Sequence, residues 1–231
     1  MGTLNNRFHA FPFTITLVFL FTIIHVFIFT ISNRTEYYVK FSCPFVQERL
    51  FKYFSNDLFS NMGELYEPFE NLADFITETD INIKKLVKRY QIYLTKNRDW
   101  LLKDAPRRSD LRIYEAVFHF NLYSYLHEFL KDKDGKVYPE FPTGNGKIDI
   151  IIKYRSRTYG LELKSYRDRK SYNKALKQAA LYGKQLGLEE ITLILFVEYI
   201  DEENRRTLEI DHMDTNARVK IKPVFIETGN P

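Results

Sequence analysis

The chain has 231 residues, with 34 Lys and Arg against 30 Asp and Glu, a net charge of +4 and one cysteine. That length leaves room for one well-packed domain with an appendage and excludes two large domains, because compact domains mostly run to roughly 100–200 residues. Cys43 alone excludes an internal disulfide and any zinc site built from several thiolates, and it fits a reducing compartment.

In chain order, Phe11 to Ile31 carries no formal charge. At ~1.5 Å per helical residue it is long enough to cross a ~30 Å hydrocarbon layer, so residues 1–36 are expected to hold a transmembrane helix. Pro12, His25 and the threonines Thr14, Thr16, Thr22 and Thr30 argue against that span. No small-x-small cleavage site follows Ile31, which argues against a cleaved signal peptide. Arg7 on one side, against Arg34 and Lys40 on the other, favours a cytoplasmic C-terminal domain tethered by this segment.

Tyr37 to Thr79 mixes aromatics with Pro44 and Pro68 and reads as short helices and loops, opening a helical linker subdomain over 37–108. Ile83, Leu86, Val87, Tyr90 and Leu94 recur at helical spacing and predict an amphipathic helix over Asn82–Lys96. Ser109 is placed to cap a largely buried helix starting near Asp110, with Leu111, Tyr114, Val117, Phe118, Leu122 and Phe129 on its apolar face.

Beyond Gly135 the period becomes that of strands, over Val137–Phe141, Lys147–Tyr154 and Thr158–Leu163, an antiparallel meander turning at Gly144–Gly146 and at Arg155-Ser156-Arg157. Asp168–Gly187 reads as a helix ending on Gly187, and Ile191–Val197 as a buried strand. The remainder is expected to give one hairpin or edge strand ending in Val219–Ile226. The expected class is α/β, with a four-stranded mixed sheet flanked by helices in the order αβββαβ over 109–231.

Charge is uneven along the chain. From Lys147 to Lys184 there are eleven basic residues against Asp149, Glu162 and Asp168, a basic face to which a polyanion would be drawn, the plainer alternative being a solvated basic surface. Asp149 sits in Ile148-Asp149-Ile150-Ile151-Ile152, where an uncompensated carboxylate would cost several kcal/mol. In Gly160-Leu161-Glu162-Leu163-Lys164, strand alternation puts Glu162 and Lys164 on one face. If the hairpin pairs about its tip, Asp149 approaches Glu162. Two carboxylates and a lysine then suit a hard divalent cation, Mg2+ or Mn2+, beside a scissile phosphate. An internal ion pair of Lys164 with one acid would leave the other acid uncompensated.

An Asp in a strand followed, after a hairpin, by Glu-x-Lys resembles the signature of the PD-(D/E)XK nuclease superfamily, here Asp149 and Glu162-Leu163-Lys164. Gln178-Ala179-Ala180-Leu181-Tyr182 is similar to the Gln-x-x-x-Tyr motif of its RecB-like branch. The resemblance implies a restriction-endonuclease-like core, with Asp149, Glu162 and Glu115 as metal ligands, those three and Lys164 as the catalytic group, and DNA as substrate. Gln178, Tyr182, Lys174 and Lys177 are the implied substrate-binding residues. Glu115 matches the acid that such families carry on the first core helix, and Leu111, Phe118 and Leu122 share its helical face; His119, one turn later, stands beside it. The proline that names the superfamily is absent before Asp149, where Lys147-Ile148 stands, and Glu140 after Pro139 is an alternative acid. Tyr37 to Gly183 also looks like the C-terminal part of bacterial AAA-type ATPases fused to such nucleases. No glycine-rich phosphate loop is present, so an ATPase would be a partner and this chain a detached or truncated module. Two other readings are a non-catalytic DNA-binding or assembly module of the same fold, and a membrane-tethered interaction protein whose basic face meets anionic lipid.

Overall fold

The computed structural model describes residues 28–33, 36–41, 75–102, 105, 107, 109, 112–143 and 146–229. They belong to two compact units, Met1–Arg49 and Leu50–Pro231. In the first, β1 (Ile28–Asn33) and β2 (Glu36–Phe41) pair antiparallel, from Ile28 opposite Phe41 to Asn33 opposite Glu36. Their β-branched and aromatic residues suit extended backbone. Of the stretch expected to be a membrane helix, residues 11–27 lie outside the described residues, while 28–31 are strand. Among the described residues no helix is long and apolar enough to cross a membrane. Where short helices and loops were expected, 37–41 is strand, and 42–74 lies outside the described residues.

The second unit is a three-layer α/β arrangement. Helix α1 (Ile83–Lys96) is capped by Asn82, whose side chain accepts the Lys85 amide, and α2 (Arg98–Leu102) follows it. Helix α3 spans Glu115–Leu130. Its start differs from the expected Ser109 cap, because Ile113 is held extended in an antiparallel bridge to Arg107 and Tyr114 is extended too. Glu115 is thereby the first helical residue, where a carboxylate faces the unpaired amides and positive end of the helix dipole.

Strands β3 (Gly135–Thr143), β4 (Gly146–Tyr154) and β5 (Arg157–Ser165) form the antiparallel meander, and the tip between β4 and β5 is Arg155-Ser156, with Arg155 in left-handed conformation at φ 52°. Helix α4 (Arg169–Gln185) then crosses over to β6 (Glu190–Val197), which runs parallel to β5. Asp168 and Ser171 form a reciprocal capping box at its start. At its end Gly187, at φ 66°, donates to the Lys184 carbonyl and Leu188 to the Gly183 carbonyl, the paired bonds of a Schellman turn.

The sheet has six strands rather than the expected four, in the order β3-β4-β5-β6-β8-β7, and it is mixed. The addition comes from the C-terminal segment. Helix α5 (Glu202–Leu208), capped by Asp201, leads to the three-residue edge strand β7 (His212–Asp214) and to β8 (Val219–Glu227). β8 pairs parallel with β6 and antiparallel with β7, so of the two expected alternatives the C-terminal segment forms the hairpin, with β7 at the edge and β8 interior.

One sheet face carries Ile150, Ile152, Leu161, Leu163, Ile194 and Val224 against Leu86, Tyr90, Leu122 and Leu126 of α1 and α3. The other carries Ile151, Ile191, Leu193, Leu195, Ile221 and Phe225 against Tyr172, Ala175, Leu176 and Ala179 of α4. Burial on both faces explains why β6 reads Ile-Thr-Leu-Ile-Leu-Phe-Val without alternation. Small residues let α4 approach closely: a Cβ on Gly183 would lie 2.6 Å from Val219 Cγ1, on a β-branched side chain with little room to turn. Gly183→Ala should therefore destabilise the protein by about 1–3 kcal/mol in urea unfolding, as overpacking does, and Val219→Ala in the same chain should recover part of that loss.

Candidate active site

The β4–β5 ladder runs from Tyr154 opposite Arg157 to Ile150 opposite Leu161 and stops there. Alternation shifts at the same place. Ile150 and Ile152 pack with α1 and α3, while Ile148 joins Ile151 in the α4 core, although strict alternation would put Ile148 with Ile150. Asp149 occupies this irregularity. Its Oδ2 accepts the Leu163 amide of β5 at 2.7 Å, and its carbonyl accepts from His119 Nε2 on α3 at 2.9 Å. A carboxylate in an apolar run is thus compensated by a main-chain amide where the ladder has stopped, and the residue's own carbonyl by His119.

Glu162 lies between Leu161 and Leu163, which face α1 and α3, so alternation turns it to the α4 side, where it is 1% exposed. Lys164, two residues on, shares that side. Its Nζ is 2.8 Å from Glu162 Oε1, 3.6 Å from Asp149 Oδ2 and 3.8 Å from Glu115 Oε1, and it donates to the Leu163 carbonyl at 2.8 Å. Glu115 Oε2 in turn accepts the Ser165 amide at 2.7 Å. Asp149, Glu162, Lys164 and Glu115 therefore meet at one point, brought there by three separate elements.

Burial, reinforced by the Asp149 charge and only partly opposed by Lys164, pushes the Glu162 pKa up to about 8. Burial works to strip Lys164 of its proton, but Asp149, Glu162 and Glu115 outweigh it and hold the lysine above its usual range. Among the described residues Lys164, at 2.8 Å from Oε1, is the one partner within reach of the Glu162 carboxyl, and Oε2 has none. A buried acid with one unpartnered oxygen, beside two further acids, is a donor set that fits a hard divalent cation. As it stands the ammonium occupies the middle of the acids, and no preformed group of three acidic, histidine or cysteine ligands is found among the described residues.

The other anticipated residues lie elsewhere. Gln178 Nε2 donates to the Tyr182 hydroxyl at 3.0 Å across one turn of α4. Lys174 and Lys177 line an open depression of about 790 Å³ with Arg167, Asp168, Lys170, Ser171 and Asn173, beginning three residues after Lys164. Its one acid, Asp168, is committed to capping α4 through the Ser171 amide at 2.7 Å. Glu140 lies on β3. The expectation of a single basic face is corrected by topology. Arg155 and Arg157 sit at the hairpin tip, paired with Asp134 at 2.9 Å and Asp80 at 3.2 Å, about 23 Å of strand from Lys164. At the other end of α4, Lys184 donates to the Asn216 carbonyl at 3.4 Å. The main-chain roles of Leu163, Ser165 and the Asp149 carbonyl have no signal in residue type.

The raised Glu162 pKa has a direct consequence for stability. Between the unfolded value near 4.5 and the folded value near 8, the native state holds a proton that the unfolded chain has released, so stability is greatest below this window and falls as pH rises through it. Glu162→Gln should flatten that decline in chelator-treated protein, measured by urea unfolding at several pH values between 5 and 9. Comparison with known protein families, with curated protein sequences and with solved structures finds no match to this chain.

Proposed function

We propose that this chain is a divalent-metal-dependent nuclease that hydrolyses DNA phosphodiester bonds, with a PD-(D/E)XK-type site in a restriction-endonuclease-like core. The observation that carries the reading is the convergence of Asp149, Glu162 and Glu115 within 3.8 Å of one lysine ammonium, on a buried acid whose oxygens have no other partner. A wholly structural ion pair needs one acid, and three acids gathered on one amine leave surplus negative charge in a partly buried place.

Asp149, Glu162 and Glu115 would hold the ion, Mg2+ or Mn2+. When bound, the ion supplies positive charge against the scissile phosphate and acidifies a water molecule. Glu162 gives up its proton to serve as a ligand, as metal ligands must. Lys164 keeps its proton and acts as a donor that orients the attacking water or a phosphate oxygen, rather than as the base. Glu115 and Asp149 are held for their task by the Ser165 and Leu163 amides. Lys170, Lys174 and Lys177, along the depression at the start of α4, offer sequence-independent contacts to the phosphodiester backbone.

The full chain should cut DNA with Mg2+ or Mn2+ and not with a chelator, and Lys164→Ala, assayed where it is still folded, should lower the rate by at least about 100-fold. Equal cutting by the variant would reject the assignment. Salt-dependent DNA binding without metal-dependent cutting would instead identify a non-catalytic DNA-binding module. Lys174→Ala and Lys177→Ala should each lower the slope of log affinity against log salt by about one, measured by fluorescence anisotropy on a labelled oligonucleotide.

A further inference from the structure

Glu115 and His119 lie one helical turn apart, on the same side of α3, and each holds a different strand at the place where β4 and β5 separate. Glu115 Oε2 accepts the Ser165 amide of β5 at 2.7 Å. His119 Nε2 meets the Asp149 carbonyl of β4 at 2.9 Å; a carbonyl only accepts, so Nε2 carries the proton. His119 itself is buried, at 8% exposure, and its contact with Asp149 is partly buried. Between the two anchored strands the ladder is already broken, and the Asp149 carboxylate spans the gap to the Leu163 amide at 2.7 Å.

We infer that the first turn of α3 is a clamp that holds the β4–β5 split open, and that His119 is a positioning residue that fixes the Asp149 carboxylate through the Asp149 main chain. The inference rests on the nuclease reading for its consequence, because a carboxylate that swings with its strand is a poor ligand, whereas its geometry stands on the structure alone. Without the His119 donor the partly buried Asp149 carbonyl loses that hydrogen bond, and β4 is free to re-pair with β5 or to shift, either of which breaks the carboxylate's bond to Leu163. A glutamine reaches as far as a histidine and places an amide N–H at the same number of bonds from the backbone, so it can replace the donor; leucine fills the space without donating, and asparagine donates but falls short.

Amide hydrogen exchange of the full chain without metal tests this directly. In His119→Leu and His119→Asn the Leu163 amide should exchange at least about tenfold faster, relative to the Leu193 and Ile194 amides of β6, while His119→Gln keeps the wild-type ratio. An unchanged ratio in a folded leucine or asparagine variant overturns the clamp. So does loss of the ratio in a folded glutamine variant, which keeps the test decisive if the leucine variant does not fold. In the cutting assay the leucine variant should lose about 10- to 100-fold in rate, with recovery in the glutamine variant. A wild-type chain that cuts no DNA removes the nuclease reading and leaves the exchange ratio to decide the clamp by itself.

Discussion

One ammonium among three carboxylates is the constraint around which the sheet unit is arranged. Lys164 reaches Glu162 on its own strand, Asp149 on β4 and Glu115 on α3, and each of these acids is steered by structure that has no charge of its own. Asp149 needs a strand that stops pairing, Glu162 a strand buried on both faces, and Glu115 a helix that begins late enough for the acid to be its first residue. Shift any one element by a residue and the set disperses. The arrangement is costly in isolation, since Glu162 is kept from water and holds a proton well above the usual carboxylate range. Groups with such perturbed protonation gather at functional sites more often than in purely structural cores.

The rest of the unit supplies stiffness. α4 lies close against the sheet where Ala175, Ala179 and Gly183 face it, and both its ends are closed by local hydrogen bonds. On the opposite face α1 is tied to β8 through Gln91, which exchanges two hydrogen bonds with the Glu227 main chain. Near that point Arg205 of α5 pairs with Glu209 and Glu227, so the C-terminal helix is fastened to the strand it precedes. These contacts are far from the acids in sequence and none requires a special residue, which is characteristic of a scaffold.

Much of this was legible in the sequence where periodicity is strong. Ile83 to Leu94 announce α1, and the apolar runs of β4 and β6 announce buried strands. Alternation alone sends Glu162 and Lys164 to one side, and a hairpin turning at Arg155-Ser156-Arg157 brings Asp149 beside the end of β5, near Glu162. The start of α3 was not legible, because Ser109 is a good cap by residue type and only the tertiary bridge between Arg107 and Ile113 disqualifies it. α5 was missed because seven residues give too few turns for a period to show, although Asp201 ahead of Glu202 and Glu203 is a capping signal in retrospect. The basic run misled because sequence proximity across a hairpin is not spatial proximity: the strand that joins Arg157 to Lys164 also separates them. The break in alternation at Asp149 left no trace in composition at all.

The interior position of β8 has a consequence for how the protein forms. β6 is flanked on one side by β5, which precedes it, and on the other by a strand that lies beyond α5 and β7 in the chain. While the polypeptide is being made, β6 has one satisfied flank and one row of open amides and carbonyls, and it is among the most apolar segments of the chain. A nascent sheet is therefore adhesive along its middle until the last long strand slots in beside β6. Truncation after α5 would leave that adhesive flank permanently bare, and self-association through it is the failure such a fragment would suffer.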